Sequence, residues 1–157
     1  MGGKCHDPTV RNGGKMTAEA DLLARRCAEA MYADDHAARD LGIEIGEVGA
    51  GRAVLAFTVR PQMLNGHDMC HGGMIFTLAD TAFAYACNSH NHRAVAFTAD
   101  ITFIAPARKG DRLTAHAQER QRSGRNGIYD VRVTDQTGKI VAEFRGRSRT
   151  IDGTLVS

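Results

Sequence analysis

Between Asp68 and Arg93 the chain carries a single charged residue, Asp80. It stands in His71-Gly72-Gly73-Met74-Ile75-Phe76-Thr77-Leu78-Ala79-Asp80-Thr81-Ala82-Phe83-Ala84-Tyr85-Ala86-Cys87, which is otherwise uncharged and largely apolar. Such a stretch has to be covered by the rest of the chain, so a carboxylate within it is buried or half-buried. An unpaired charge in that position is costly. Perturbed ionisable groups concentrate at working sites. The stretch therefore bears on fold and function together.

The 157 residues fit one domain. A formal net charge of +2 is too mild to argue for nucleic acid. Aromatic-plus-basic repeats of the kind that bind single strands are missing too. The first sixteen residues have no apolar run of the secretory type, so a cytoplasmic protein is expected. The Asp80 stretch is not a membrane span: it has an acid at its middle, a glycine pair at one end, and Asn and His at the other. Cys5, Cys27, Cys70 and Cys87 are widely spread with no CxxC, which reads as free thiols in a reducing compartment. His67 and His71 are four apart, with Cys70, Cys87, His90 and His92 nearby. Gly72-Gly73 would sit badly inside the helix that such a zinc motif needs, and no metal is expected.

Residues 1–16 read as a flexible tail, because Gly2-Gly3 and Asn12-Gly13-Gly14 resist ordering. A helix is expected from Thr17 as N-cap, with Leu23, Cys27, Ala30 or Met31, and Ala38 as its stripe; Gly42 ends it. Ile43–Ile45 and Val54–Val59 flank Gly49-Ala50-Gly51 and predict a hairpin. Residues 61–68 form a loop, and a helix over about 71–88, apolar on both faces, is expected to be buried all round. Four strand-like runs follow, at about 94–104, 111–121, 127–134 and 140–150. In the last of them Ile140, Ala142, Phe144, Gly146 and Ser148 alternate with Val141, Glu143, Arg145, Arg147 and Arg149, the period of a half-exposed antiparallel strand. Phe57, Phe97 and Phe103 read as core. A helix without a polar face needs a sheet around it, so the fold class is α+β, with one domain over 17–152 and a short tail at 153–157.

This order, together with Asn65-Gly66-His67, Cys70-His71-Gly72-Gly73 and Leu78-Ala79-Asp80-Thr81-Ala82-Phe83-Ala84-Tyr85-Ala86-Cys87-Asn88-Ser89, resembles the hotdog-fold acyl-CoA thioesterases. The likeness covers about residues 20–152 and is greatest to the phenylacetate-degradation (PaaI-type) subgroup. It implies an antiparallel sheet wrapped around one long helix. It implies hydrolysis of phenylacetyl-CoA or hydroxyphenylacetyl-CoA, with water as co-substrate and no metal or organic cofactor. By position it implies Asp80 as the catalytic carboxylate, Gly72 as the N–H donor to the thioester carbonyl, Asn65 as the residue placing water or carbonyl, and His71 as a polar support. Ser123-Gly124-Arg125-Asn126 matches where the family holds the CoA moiety, and Thr98 matches a hydroxyl beside the attacking water. Many relatives have a basic residue before the proline where this chain has Ala105-Pro106. That departure bears on one CoA contact.

The residues support the same chemistry on physical grounds. A thiolate leaves readily, so one carboxylate and one oxyanion donor suffice. The first N–H groups of a helix are unpaired and carry partial positive charge. At Gly72 and Gly73 a carbonyl can approach them closely. Asp80 lies eight residues beyond Gly72, roughly 12 Å along one helix, too far for one carbonyl to touch both. The spacing therefore predicts a two-fold dimer in which Gly72 of one subunit faces Asp80 of the other. The resemblance implies the same, with a dimer of dimers as a common further step. Asp80 as general base and Asp80 as nucleophile both fit. Arg145, Arg147 and Arg149 could meet CoA phosphates or form a solvated face. Two other readings stay open: an enoyl-CoA hydratase or dehydratase on the same fold, and a non-catalytic acyl-CoA-binding protein.

Overall fold

The computed structural model describes residues 9–157, with side chains from residue 17 onward. Its elements run α1 (Thr9–Asp34), α2 (His36–Asp40), β1 (Glu44–Gly49), β2 (Arg52–Thr58), a 3-10 turn (Pro61–Met63), α3 (Gly72–Cys87), β3 (Ala94–Phe103), β4 (Arg112–Ser123), β5 (Asn126–Thr134) and β6 (Ile140–Thr150). Among the described residues the six strands form one antiparallel sheet in the order β1-β2-β4-β5-β6-β3. The sheet curls around α3. This is the α+β class that the alternation and the uncharged stretch predict, in the hotdog arrangement that the resemblance implies.

α1 starts at Thr9, eight residues before the expected Thr17 cap. The Gly13-Gly14 pair lies inside it. Glycine costs a helix about 1 kcal/mol relative to alanine but does not forbid it. Of the expected tail, residues 1–8 lie outside the described residues. The helical stretch breaks at Asp35, whose carboxylate caps α2 by accepting from the Ala38 N–H at 3.0 Å. Residues 153–157 are held rather than loose. Asn91 accepts from the Leu155 and Val156 N–H groups, both at 2.9 Å, and donates to the Val156 carbonyl at 2.9 Å.

The core sits between α3 and the concave face of the sheet. Ile75, Leu78, Ala79, Ala82, Phe83, Tyr85, Ala86 and Cys87 of α3 are buried. They meet Leu55 and Phe57 of β2, Leu113 and Ala115 of β4, Tyr129 and Val131 of β5, and Phe144 of β6. Phe83 lies 5.6 Å from Tyr129 and 5.8 Å from Phe144, centroid to centroid. Gly146 makes this approach possible, because a Cβ there would sit 2.9 Å from three carbons of the Phe83 ring.

Two expectations about burial change. α3 is not covered all round: Thr77, Asp80, Thr81 and Ala84 are half-buried and Gly73 is exposed, so one face of the helix is uncovered. Phe57 is fully buried, but Phe97 and Phe103 are 52% and 51% exposed. Both belong to β3, the edge of the sheet, where a strand lacks a neighbour on one side.

Candidate active site

The loop before α3 is built around Asn65. Its N–H donates to the Met69 carbonyl at 2.8 Å. Its side-chain Oδ1 accepts from the N–H groups of His67 (2.9 Å) and Met69 (3.3 Å). Both ladder-like and side-chain bonds thus close the turn, as Asn commonly does. The oxygen end of the amide faces the loop, which leaves Nδ2 as a donor on the other side. The loop is then pinned to its surroundings by the Cys70 N–H to Ala107 O (2.8 Å) and the His71 N–H to Met63 O (2.7 Å).

His71 caps α3. Its Nδ1 accepts from the Gly73 N–H at 2.9 Å, which requires the neutral ring with its proton on Nε2. The Met74 N–H reaches the His71 carbonyl at 2.9 Å, and the Ile75 N–H reaches the same oxygen at 3.3 Å. Helix starts leave their first N–H groups orphaned. Here Gly73 and the residues after it have acceptors, and the Gly72 N–H alone has none among the described residues. His71 therefore selects which donor remains free. Gly73 is spent on the cap, so the oxyanion position narrows to Gly72.

Gly72 and Asn65 open onto one cleft of about 360 Å³, walled by Ile75, Phe103, Ile104 and Pro106. Ala105, at the position where the resemblance implies a basic residue in many relatives, also lines it.

Asp80 lies two turns along α3 on its uncovered face. Burial raises its pKa above the ordinary aspartate value of 3.8, and no cation or hydrogen-bond donor among the described residues opposes that. Neighbouring Thr77 and Thr81 turn their hydroxyls back to the helix, to Gly73 O (2.9 Å) and Thr77 O (2.7 Å). The carboxylate is thus left uncommitted. Among the described residues, Cys70 and Cys87 offer no rival nucleophile. Burial, then the charge of Asp111, pushes the Cys70 thiol up to about 11. Burial, then Asp80, pushes the Cys87 thiol up to about 12. Thiols so placed stay protonated near neutrality. Among the described residues no three His, Cys, Asp or Glu side chains are grouped to hold a metal ion.

The other predicted residues lie elsewhere. Gly124, Arg125 and Asn126 line a second cleft of about 380 Å³ with Cys87, Arg122 and Ser148. Ser123 pairs with Asn126 across the β4–β5 turn but does not line that cleft. Ser148, 4% exposed, lines this cleft although the sequence pattern did not single it out; its inward place in the β6 alternation was the available signal. Thr98 pairs with Arg147 across β3 and β6, and its hydroxyl accepts from Arg147 Nη1 at 3.4 Å. Because Gly146 and Ser148 face α3, Arg147 and its pair Thr98 lie on the other face of the sheet within the protomer. The arginine stripe is largely engaged. Arg145 makes two bonds to Asp130, at 2.6 and 2.8 Å, and Arg149 lies 5.5 Å above the Phe97 ring.

Sequence and structure comparisons identify the family and the fold. A thioesterase-superfamily signature spans residues 67–142. The chain is 52% identical over 128 residues to the acyl-coenzyme A thioesterase PaaI of Escherichia coli, covering 82% of this chain and 91% of that one. The structure of the E. coli PaaI protein from the phenylacetic acid degradation operon superposes with a TM-score of 0.85 at 50% identity, over 86% of this chain and 98% of that one. A mutant structure of the phenylacetic acid degradation protein PaaI from Thermus thermophilus superposes with a TM-score of 0.72 at 36% identity, over 74% and 100%. With this fold, this helix start and this placement of Asp80, the chain belongs to the thioesterase superfamily, as a hotdog enzyme of the PaaI type.

Proposed function

We propose that the protein hydrolyses the thioester bond of aryl-acetyl-CoA substrates, phenylacetyl-CoA or its ring-hydroxylated forms, releasing the acid and free CoA. The observation that carries this reading is the pairing of an acceptor-less N–H at Gly72 with an uncommitted carboxylate at Asp80. The aryl-acetyl part is drawn from the PaaI relatives. In the reaction the thioester carbonyl accepts from the Gly72 N–H, and Asn65 Nδ2 holds the carbonyl or the water beside it. Asp80 either removes a proton from the attacking water or attacks the carbonyl carbon itself. The tetrahedral oxyanion collapses and expels the CoA thiolate, which is protonated on release; on the nucleophilic route this leaves an acyl–Asp80 mixed anhydride, which water then hydrolyses to the acid and the free carboxylate.

Two features of the protomer support a site shared between subunits. Gly72 and Asp80 are roughly 12 Å apart along α3. The two clefts sit at opposite ends of the same helix, by Gly72 and by Cys87, about 23 Å apart. Antiparallel pairing of two α3 helices across a two-fold axis would set Gly72 of one chain against Asp80 of the other. It would also draw the Arg125 cleft of one chain toward the Gly72 cleft of its partner. The uncovered α3 face, with its small Gly73, Thr77 and Ala84, allows close approach. The β3 edge, with Val95 47% and Phe97 52% exposed, offers backbone groups and apolar surface to a second copy. A dimer of dimers remains a further step of the same reading. Among the described residues no helix is long and apolar enough to cross a membrane, and a cytoplasmic enzyme without a bound cofactor is part of the proposal.

Thiol release from a panel of straight-chain, benzoyl, phenylacetyl and hydroxyphenylacetyl thioesters of CoA tests it. Turnover is expected, highest for the phenylacetyl forms. A preference for linear chains would keep the hydrolysis and discard the substrate. Binding without thiol release would favour the non-catalytic acyl-CoA protein. Loss of enoyl-CoA absorbance without free thiol would favour the hydratase.

A further inference from the structure

We infer that Phe103 selects the acyl group, an inference that rests on the thioesterase reading above. Phe103 closes the edge strand β3 and is half exposed, yet its ring is engaged at the tip. A Cβ on Gly72 would lie 2.9 Å from Phe103 Cζ and 3.3 and 3.4 Å from Cε1 and Cε2. The end of the ring therefore rests on the Cα of Gly72, beside the N–H that has no acceptor.

A carbonyl oxygen accepting from that N–H stands about 2.9 Å from the nitrogen. Its carbon and first substituents then come into van der Waals range of the Phe103 ring. The cleft beyond is walled by Ile75, Phe103, Ile104 and Pro106, and Asn65 is its one amide side chain. This chemistry suits the acyl group rather than pantetheine, whose two amides would lose hydrogen bonds among apolar walls. The cleft carrying Arg122, Arg125, Asn126 and Ser148 has the polar groups that the phosphate-bearing end requires. In the first cleft an aryl ring can meet Phe103 edge-to-face or offset, an arrangement a linear chain cannot match. Phe103 is thus a specificity-determining residue, and the direct contact of its ring with Gly72 ties acyl shape to placement of the carbonyl.

The test compares kcat/KM for phenylacetyl-CoA and octanoyl-CoA in the wild type, Phe103→Leu and Phe103→Met. Inhibition by free CoA and the melting temperature are measured alongside. Both substitutions keep an apolar side chain and remove the ring. The ratio of phenylacetyl to octanoyl kcat/KM is expected to fall by about tenfold or more, the scale on which apolar pockets discriminate. Inhibition by free CoA should be unchanged. An equal fall for both thioesters, a weakened affinity for free CoA, or an unchanged ratio would each overturn the inference while leaving the thioesterase reading standing. A folded wild type that is silent on both substrates would remove that reading and this inference with it.

Discussion

Asp80→Asn is expected to lower turnover about a thousandfold or more while raising the melting temperature at neutral pH. The amide keeps the shape of the carboxylate but can neither take a proton from water nor attack a thioester. General-base catalysis alone is worth about 10²–10⁴-fold. The stability effect follows from the half-burial of Asp80, which raises its pKa in the folded protein above 3.8. Between the unfolded and the raised folded value, the folded state holds a proton that the unfolded state has already lost. The site's contribution to stability is therefore fully present below the unfolded pKa and is lost as pH climbs through the folded one. At pH 7 the ionised carboxylate works against folding, and Asn relieves it, so the variant's Tm is expected to lie above that of the wild type. That gain should shrink on acidification, as the wild-type acid becomes protonated. The same shift gives kcat/KM a sign: it rises with pH through the raised pKa and then levels off. Thermal melts of both proteins across pH, with initial rates, check all three. An Asn variant that is inactive but less stable would instead make Asp80 a structural acid.

Gly72→Pro is expected to lower kcat by about 10²–10³-fold, the usual cost of removing one oxyanion donor. Proline removes the N–H, and the backbone here can accept it. Gly72 is the first residue of α3, where proline is favoured because that N–H has no helical partner. His71 before it has φ −59° and ψ 134°, the extended conformation a pre-proline residue prefers. A new Cβ does crowd the Phe103 ring, so Gly72→Ala is the necessary control: it adds the same atom and keeps the donor. Activity well above the proline variant in Gly72→Ala assigns the loss to the N–H. Equal losses in both would assign it to the crowding of Phe103.

Much of this was legible because it rests on period and spacing. Alternation located β6 to its first and last residue, and the uncharged run located α3 within about a residue at each end. What stayed hidden depends on neighbours that a linear pattern does not name. Phe97 and Phe103 read as core by composition, but β3 crosses to the far edge of the sheet and pairs only with β6. α3 read as covered all round because Ala84 and Thr77 are small and uncharged, whatever face they occupy. The free N–H at Gly72 could be narrowed down only once His71 Nδ1 was seen to hold Gly73. The arginine stripe had a visible period, but its partners Asp130 and Phe97 come from other strands.

The claim on which the site depends most is that Gly72 and Asp80 act across two chains. Differently tagged Asp80→Asn and Gly72→Pro chains, co-expressed and purified through both tags, isolate the mixed dimer. It holds one site with both groups intact and one with both lost. The account predicts about half of wild-type activity from that dimer, although each parent variant is nearly inactive. A mixed dimer no more active than its parents would contradict it and place both groups of each working site in one chain.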